Sequence, residues 1–308
     1  MTKEVKKEVV CPICAGALKW PFKHNQDIKI EADISAFNPG VDYRWWLCRT
    51  CGNAYPTFMP SLSVLAKVWQ KNRDLSEADP AREEEIWRYR KTISEKGARR
   101  SFDFLLPLYQ KPPGRFLDIG CGLGETVRLF AERGWDALGV DADPSTRRFH
   151  EAIGIRSVIG QAETLDLGSR FDIIHTAHAI YFVTNVRGFL ASLRDRLSEG
   201  GLLCVVLADF LSSDDPGLPG YSHSFYPTAS SMRYLLALEG FQVVRCKKMS
   251  GSIFMAARRA DGPLPPIHPW LIRIGHESKP LRYALVGRPV TILKSLVKRV
   301  LSIVRPGM

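Results

Sequence analysis

The sequence predicts an α/β protein: a doubly wound parallel sheet preceded by a small cysteine-rich unit and a helical segment. Three observations carry that expectation. Strand-like apolar runs alternate with helical stretches from Arg115 to about residue 260, and repeated β-α-β order implies parallel strands joined by right-handed crossovers. A glycine-rich bend, Gly120-Cys121-Gly122-Leu123-Gly124, leaves the first of these strands and opens the first of these helices. Two Cys-x-x-Cys pairs punctuate the first 60 residues.

Residues 1–60 contain Cys11-Pro12-Ile13-Cys14 and Cys48-Arg49-Thr50-Cys51, with 33 residues between the pairs. Each pair lets two sulfurs face one ion, and four thiolates suit a closed structural Zn2+ site with no open position for catalysis. The gap exceeds the usual ~15–20 residues, so an inserted hairpin must separate the pairs. Gly16 and Gly52 stand where they would ease the two turns. The alternative, a redox pair, expects one Cys-x-x-Cys beside a βαβ unit and fits this arrangement poorly. The remaining thiols, Cys121, Cys204 and Cys246, lie on or beside expected strands and read as buried.

Residues 61–110 read as a helical linker or cap broken near Asp79-Pro80. Leu62, Leu65, Ala66, Val68 and Trp69 follow one helical face, and Ile86, Trp87 and Tyr89 another. Lys111-Pro112-Pro113-Gly114 is a breaker cluster and marks a boundary. Residues 111–261 then form the α/β domain. Its expected strands are 115–119, 137–140, 158–159, 171–176 and 202–207, closed by a hairpin of 241–247 and 252–257. Its expected helices are 125–133, ended by Gly134; 144–152; 186–197, stopped by Glu199-Gly200-Gly201; and 231–238, ended by Gly240.

Residues 262–308 make a basic tail. They hold eight Lys or Arg and one acid, so seven of the chain's eleven net positive charges fall there. The body carries little excess, which weighs against a nucleic-acid face across it. From Val290 to Val304, Leu293, Leu296, Val297, Val300, Leu301 and Val304 share one helical face, with Lys294, Lys298 and Arg299 largely elsewhere. Such a helix lies on an anionic membrane surface or packs against the body or another subunit. The first residues hold no apolar core of a secretory signal, and no run of 18 apolar residues occurs. The expected location is therefore cytoplasmic, at most peripheral on the inner membrane surface.

The strongest chemical pattern is Phe116-Leu117-Asp118-Ile119-Gly120-Cys121-Gly122-Leu123-Gly124, followed 21 residues after Gly120 by Asp141 at the end of the second strand. Glycines let the backbone turn sharply and approach a ligand where a Cβ would collide, and a carboxylate at Asp141 can accept from both hydroxyls of a ribose. Dinucleotide sites use GxGxxG to receive a pyrophosphate at a helix N-terminus. Here the spacing is GxGxG with an acid two residues ahead, useless for phosphate and suited to a cofactor bearing a positive amino group.

At these residues the chain resembles the class I S-adenosylmethionine-dependent methyltransferases, over about residues 100 to 260. The resemblance implies a seven-stranded Rossmann-like sheet. It also implies that Asp118 and Gly120, with Cys121, Gly122 and Gly124 of the bend, lie along the methionine part of the donor. Asp141 would hold the ribose, and Gln161 and Ala162 would meet the adenine. The family usually has an acid at the Gln161 position.

The reacting centre of such a sheet lies beyond the carboxyl ends of its strands. His178, just past the fourth strand, is the candidate general base; the other reading is a histidine that only hydrogen-bonds locally. His175, inside the strand, reads as packed. This region resembles a subgroup that methylates deoxysugars and related small metabolites and typically reads His-x-x-Glu-His. The present chain has His178-Ala179-Ile180-Tyr181-Phe182, keeping the first histidine and replacing the Glu-His pair. The loop from Asp209 to Pro227 is rich in Gly, Pro, Ser and Asp; its His223 and Tyr226 are candidate acceptor contacts. Zinc knuckles ahead of such a domain resemble that sugar subgroup and also a ribosomal RNA guanine methyltransferase group. The expected partner is thus a small-molecule acceptor. An RNA substrate and a donor-binding scaffold without catalysis are the alternatives.

Overall fold

Strands buried on both faces read as near-continuous apolar runs, and the central strands of this chain do so. The computed structural model describes residues 10–21, 45–56, 80–168, 170–211 and 223–282. The small sheet contains β1 (Lys19–Pro21), β2 (Trp45–Cys48) and β3 (Ala54–Pro56). The large one contains β4 (Arg115–Ile119), β5 (Asp136–Asp141), β6 (Ser157–Ile159), β7 (Phe171–Ala177), β8 (Leu197–Ala208), β9 (Phe241–Met249) and β10 (Ser252–Arg259). Helices are α1 (Pro80–Leu105), α2 (Glu125–Ala131), α3 (Arg147–Ala152), α4 (Val186–Arg196), α5 (Ala229–Leu238), α6 (Pro269–Glu277) and α7 (Lys279–Arg282).

The large sheet has the order β6-β5-β4-β7-β8-β10-β9. Strands β6, β5, β4, β7 and β8 run parallel, and β10 pairs antiparallel with both β8 and β9. This is the expected doubly wound, seven-stranded Rossmann-like architecture. The chain starts at central β4, winds outward through β5 and β6, then returns to place β7 on the other side of β4. Ligands of open α/β sheets bind at that reversal, beyond the carboxyl ends of the strands.

Alternation along each strand divides the core. Leu117, Ile119, Ile174, Leu203, Val205 and Leu207 face α4 and α5, whose Leu190, Leu193, Met232 and Leu235 are buried against them. Phe116, Ile173, Cys204 and Val206 face α1 and α2, meeting Phe102, Phe104 and Phe130. Phe116 and Phe130 stack with ring centroids 3.7 Å apart.

Several boundaries differ from the sequence expectation. At the break expected near Asp79-Pro80, α1 begins with Pro80, which a first turn accepts because its missing N–H costs nothing there. Residues 62–69 lie outside the described residues. On α1, Ile86 and Trp87 are half-buried but Tyr89 is exposed, because tertiary packing covers only part of the face that periodicity groups together. The helix ends at Leu105, and 106–108 form a 3-10 turn. The helix expected over 144–152 is a 3-10 turn at 144–146 followed by α3. α5 begins at Ala229, capped by Thr228, whose side chain accepts from Ser231 N, rather than at Ser231. Strand β8 starts at Leu197, before the double glycine, with a register shift opposite Phe171–Ile173. A bulge carries the strand past residues that would otherwise end it. Cys246 is half-buried rather than buried.

The knuckle unit packs directly on the large domain. Ala54 and Tyr226 exchange backbone hydrogen bonds, with Tyr226 N to Ala54 O at 2.7 Å and Ala54 N to Tyr226 O at 3.2 Å. Trp45, Leu47 and Ala54 share a buried cluster with Phe210, Tyr226 and Ile272. α6 therefore belongs to this junction, whereas the basic helix expected over 290–304 lies outside the described residues. Among the described residues, no helix is long and apolar enough to cross a membrane.

Candidate active site

The glycine bend sits at the carboxyl end of β4, and its backbone needs glycine. Gly120 and Gly122 have φ of +70° and +56°, values that side-chain-bearing residues rarely adopt. At Gly120 a Cβ would lie 2.4 Å from the Ala179 Cβ, so the bend and the segment after β7 touch there. At Gly122 a Cβ would meet nothing within 4 Å: the bend is bare on that side, as a backbone that approaches a ligand must be. Asp141, at the end of β5, holds the bend from beneath. Its Oδ2 accepts from Gly122 N at 2.7 Å and its Oδ1 from Asp143 N at 2.9 Å.

Asp118 is buried in β4, and its Oδ1 accepts from His175 Nδ1 at 2.7 Å. Between the two acids lies Cys121, whose thiol is pushed well up by burial first and then by the charges of Asp118 and Asp141. Both carboxylates thus act on one residue of the bend. Gln161 and Ala162 follow β6, and Gly160 N donates to Asp141 O at 2.8 Å, tying that segment to the end of β5. Both are half-buried. The sequence-predicted donor residues are therefore gathered around the carboxyl ends of β4, β5 and β6.

His178 follows the last residue of β7 and adopts φ +55°. Its Nδ1 lies 2.9 Å from Tyr181 Oη, and its Nε2 lies 3.5 Å from Ser252 Oγ at the start of β10. His178 is an exposed residue, yet the protein around its ring disfavours the imidazolium. The pKa is lowered, by desolvation first and by the neighbouring His175 second. Tyr181 is buried, which raises its phenol well above the usual range. The ring of His223 lies 4.0 Å from that of Tyr181 and 5.1 Å from that of Phe182. Tyr226, 6.3 Å from His223 between centroids, is pushed up to about 12 by burial and by the charge of Asp209. Asp209 is buried at the end of β8 with Lys248 Nζ 2.5 Å away.

All three predicted acceptor residues thus join one wall beside the bend. Tyr181 is the member that residue-type reasoning missed. It occupies the position where the resembled subgroup has glutamate, so its departure from that pattern marked the place but not the partner. His175 reads correctly as packed, but its bond to Asp118 becomes visible only with strand register.

Cys11, Cys14, Cys48 and Cys51 converge, with all four sulfurs within 4.8 Å of one another. A tetrahedral Zn2+ with Zn–S near 2.3 Å needs sulfurs about 3.8 Å apart. The pairs Cys11–Cys51 and Cys14–Cys48 are each 3.5 Å apart, so the set fits that ion closely. Thr50 N points at Cys48 Sγ at 3.4 Å, the kind of N–H that neutralises a thiolate. Gly52 turns the second knuckle at φ +65°, but in the first the left-handed residue is Ala15, not Gly16. The inserted hairpin is present in part, since β1 and β2 pair antiparallel as its stems.

A model of a methyltransferase domain matches residues 86–245. The ubiquinone biosynthesis O-methyltransferase of a Bradyrhizobium strain is 34% identical over 97 residues, covering 30% of this chain and 38% of that protein. Phosphoethanolamine N-methyltransferase 1 of Zea mays is 27% identical over 143 residues, covering 44% and 28%. The matches thus span well under half the length of these relatives. The crystal structure of the glycopeptide N-methyltransferase MtfA complexed with (S)-adenosyl-L-methionine aligns with a TM-score of 0.44 at 16% identity, over 53% of this chain and 93% of that one. Because the domain match takes in more than half the sequence and contains the bend, both acids and the strand that delivers His178, this chain belongs to the methyltransferase-domain family.

Proposed function

We propose that this chain transfers a methyl group from S-adenosylmethionine to a small-molecule acceptor, a sugar or a glycan- or lipid-linked precursor, at the junction of the glycine bend and the segment after β7. The observation that carries this reading is that junction itself: bare, positive-φ glycine backbone between two carboxylates, adjoining a wall of His178, Tyr181, His223 and Tyr226. When bound, the donor supplies a methyl group already activated on a sulfonium. In this reading Asp118 and the Gly120–Gly124 bend receive its methionine end, Asp141 its ribose, and Gln161 and Ala162 its adenine.

The protein's remaining task is alignment and proton removal. Nδ1–H of His178 donating to the Tyr181 hydroxyl leaves Nε2 as the acceptor of the substrate's proton. A lowered pKa keeps that ring neutral, hence competent as a base, at neutral pH. His223 and Tyr226 would orient the acceptor. The relatives, a ubiquinone biosynthesis O-methyltransferase and a phosphoethanolamine N-methyltransferase, support small molecules as acceptors, and the concentration of basic charge in the tail weighs against RNA. Cys11, Cys14, Cys48 and Cys51 would hold Zn2+, and the four thiolates would then cross-link the knuckle that braces Tyr226. The basic tail, residues 262–308, would contact a membrane surface or another subunit through its amphipathic stretch at 290–304. Incubating the full chain with methyl-labelled donor and separate small-metabolite and RNA fractions tests the reading. Label is expected in the small-metabolite fraction; label confined to RNA would overturn it.

A further inference from the structure

The buried side chains Asp118, His175 and Ser101 form a continuous hydrogen-bonded line from strand to strand to helix. In the parallel register Asp118 of β4 stands beside His175 of β7, which stands beside Cys204 of β8. His175 Nδ1 is 2.7 Å from Asp118 Oδ1, and its Nε2 is 3.0 Å from Ser101 Oγ on α1. All three residues are 3% exposed or less. The line runs through an otherwise apolar layer, with the His175 ring 6.3 Å from that of Phe116, and buried polar groups are destabilising unless paired.

A carboxylate oxygen can only accept, so Nδ1 carries the proton. With a neutral ring, Nε2 then accepts from the Ser101 hydroxyl, 3.0 Å away; the carboxylate sets the tautomer and the serine holds the far edge of the ring in place. Among the described residues, the other Asp118 oxygen has no hydrogen-bond partner. The line ends there, next to the bend, at a carboxylate with one oxygen held by His175 and the other not sealed from solvent.

We infer that His175, locked by Ser101, is a positioning residue that aims the second oxygen of Asp118 at a cationic amino group of the bound donor. This rests on the donor-site reading above. It assigns to His175 and Ser101 a role in recognising the amino-acid end of the donor without touching it.

The test is calorimetry on the full chain with two ligands. One is S-adenosylmethionine. The other is 5′-methylthioadenosine, which keeps the adenosyl thioether and lacks the amino-acid end. The wild-type chain should bind both. His175→Leu should weaken S-adenosylmethionine about tenfold to a hundredfold, the range of a lost charge-assisted hydrogen bond, and change methylthioadenosine by less than about threefold. His175→Asn, whose amide N–H can stand in for Nδ1–H, should restore most of the difference. Ser101→Ala, the milder change, should weaken S-adenosylmethionine alone and by less. Equal losses for both ligands, or no change in S-adenosylmethionine binding in any variant, would overturn the inference. A wild-type chain that binds neither ligand would remove the donor site itself, a failure distinguishable from the first.

Discussion

The donor side and the acceptor side of this site are built in different ways. On the donor side, the glycine bend, Asp118 and Asp141 come from one stretch of 24 residues, and their geometry follows from local backbone requirements. The acceptor side draws on three separate segments: His178 and Tyr181 after β7, His223 and Tyr226 from the end of a long loop, and the knuckle strand β3, which pairs with Tyr226. The contrast shows that the bend and its two acids are encoded by one contiguous motif and the acceptor wall by tertiary docking. The bend should accordingly resist damage to the distant knuckle, and the acceptor wall should not.

The largest effect that would break this contrast comes from the metal cluster. Cys48→Ser should abolish stoichiometric zinc on metal analysis and cost several kcal/mol, on the order of 10 °C in Tm. Amide exchange at Tyr226 should rise more than at Gly122. Equal loosening of both would mean that the halves are not separable. Next is Gly120→Ala, at the point where the halves touch. A positive φ and a contact with Ala179 together should destabilise by about 3 kcal/mol in denaturant titration. A fully stable variant would show that the approach of the two segments is looser than described.

Asp141→Ala sharpens the comparison from the donor side. Losing the acceptor for Gly122 N and Asp143 N, and the ribose partner proposed above, should weaken donor binding about tenfold or more, with little change at the acceptor wall. Tyr181→Phe is the smallest change, worth about 1 kcal/mol of stability for one hydrogen bond. Its visible effect should be on the pH profile. The folded pKa of His178 lies below its unfolded value, so the fold disfavours the proton. His178 therefore has no effect on stability at neutral pH, and the protein loses stability as pH falls from the ordinary histidine value through the folded one. The acid limb of turnover should lie below about pH 6.5 and shift in Tyr181→Phe. An unmoved limb would detach Tyr181 from the base.

This division also explains what could be read in the sequence. The strands around β4, β5 and β7, the bend and the four cysteines were legible because each depends on residues close in sequence. The Asp118–His175 pair was not, because it depends on which residues two parallel strands set side by side. Ala15 in a left-handed turn was missed because the neighbouring Gly16 is the usual occupant of such a conformation. The start of β8 was misjudged because a bulge admits Gly200 and Gly201 into a strand. The knuckle's grip on Tyr226 involves residues 172 positions apart, a contact that no local pattern encodes.

The central claim is that the bend between Asp118 and Asp141 receives an adenosyl sulfonium rather than a dinucleotide. Titrating the full chain with S-adenosylmethionine in a calorimeter, with NAD in a parallel titration, tests it most directly. Saturable heat with the sulfonium and none with NAD is the predicted result. A silent sulfonium titration, or binding of NAD in its place, would contradict the account.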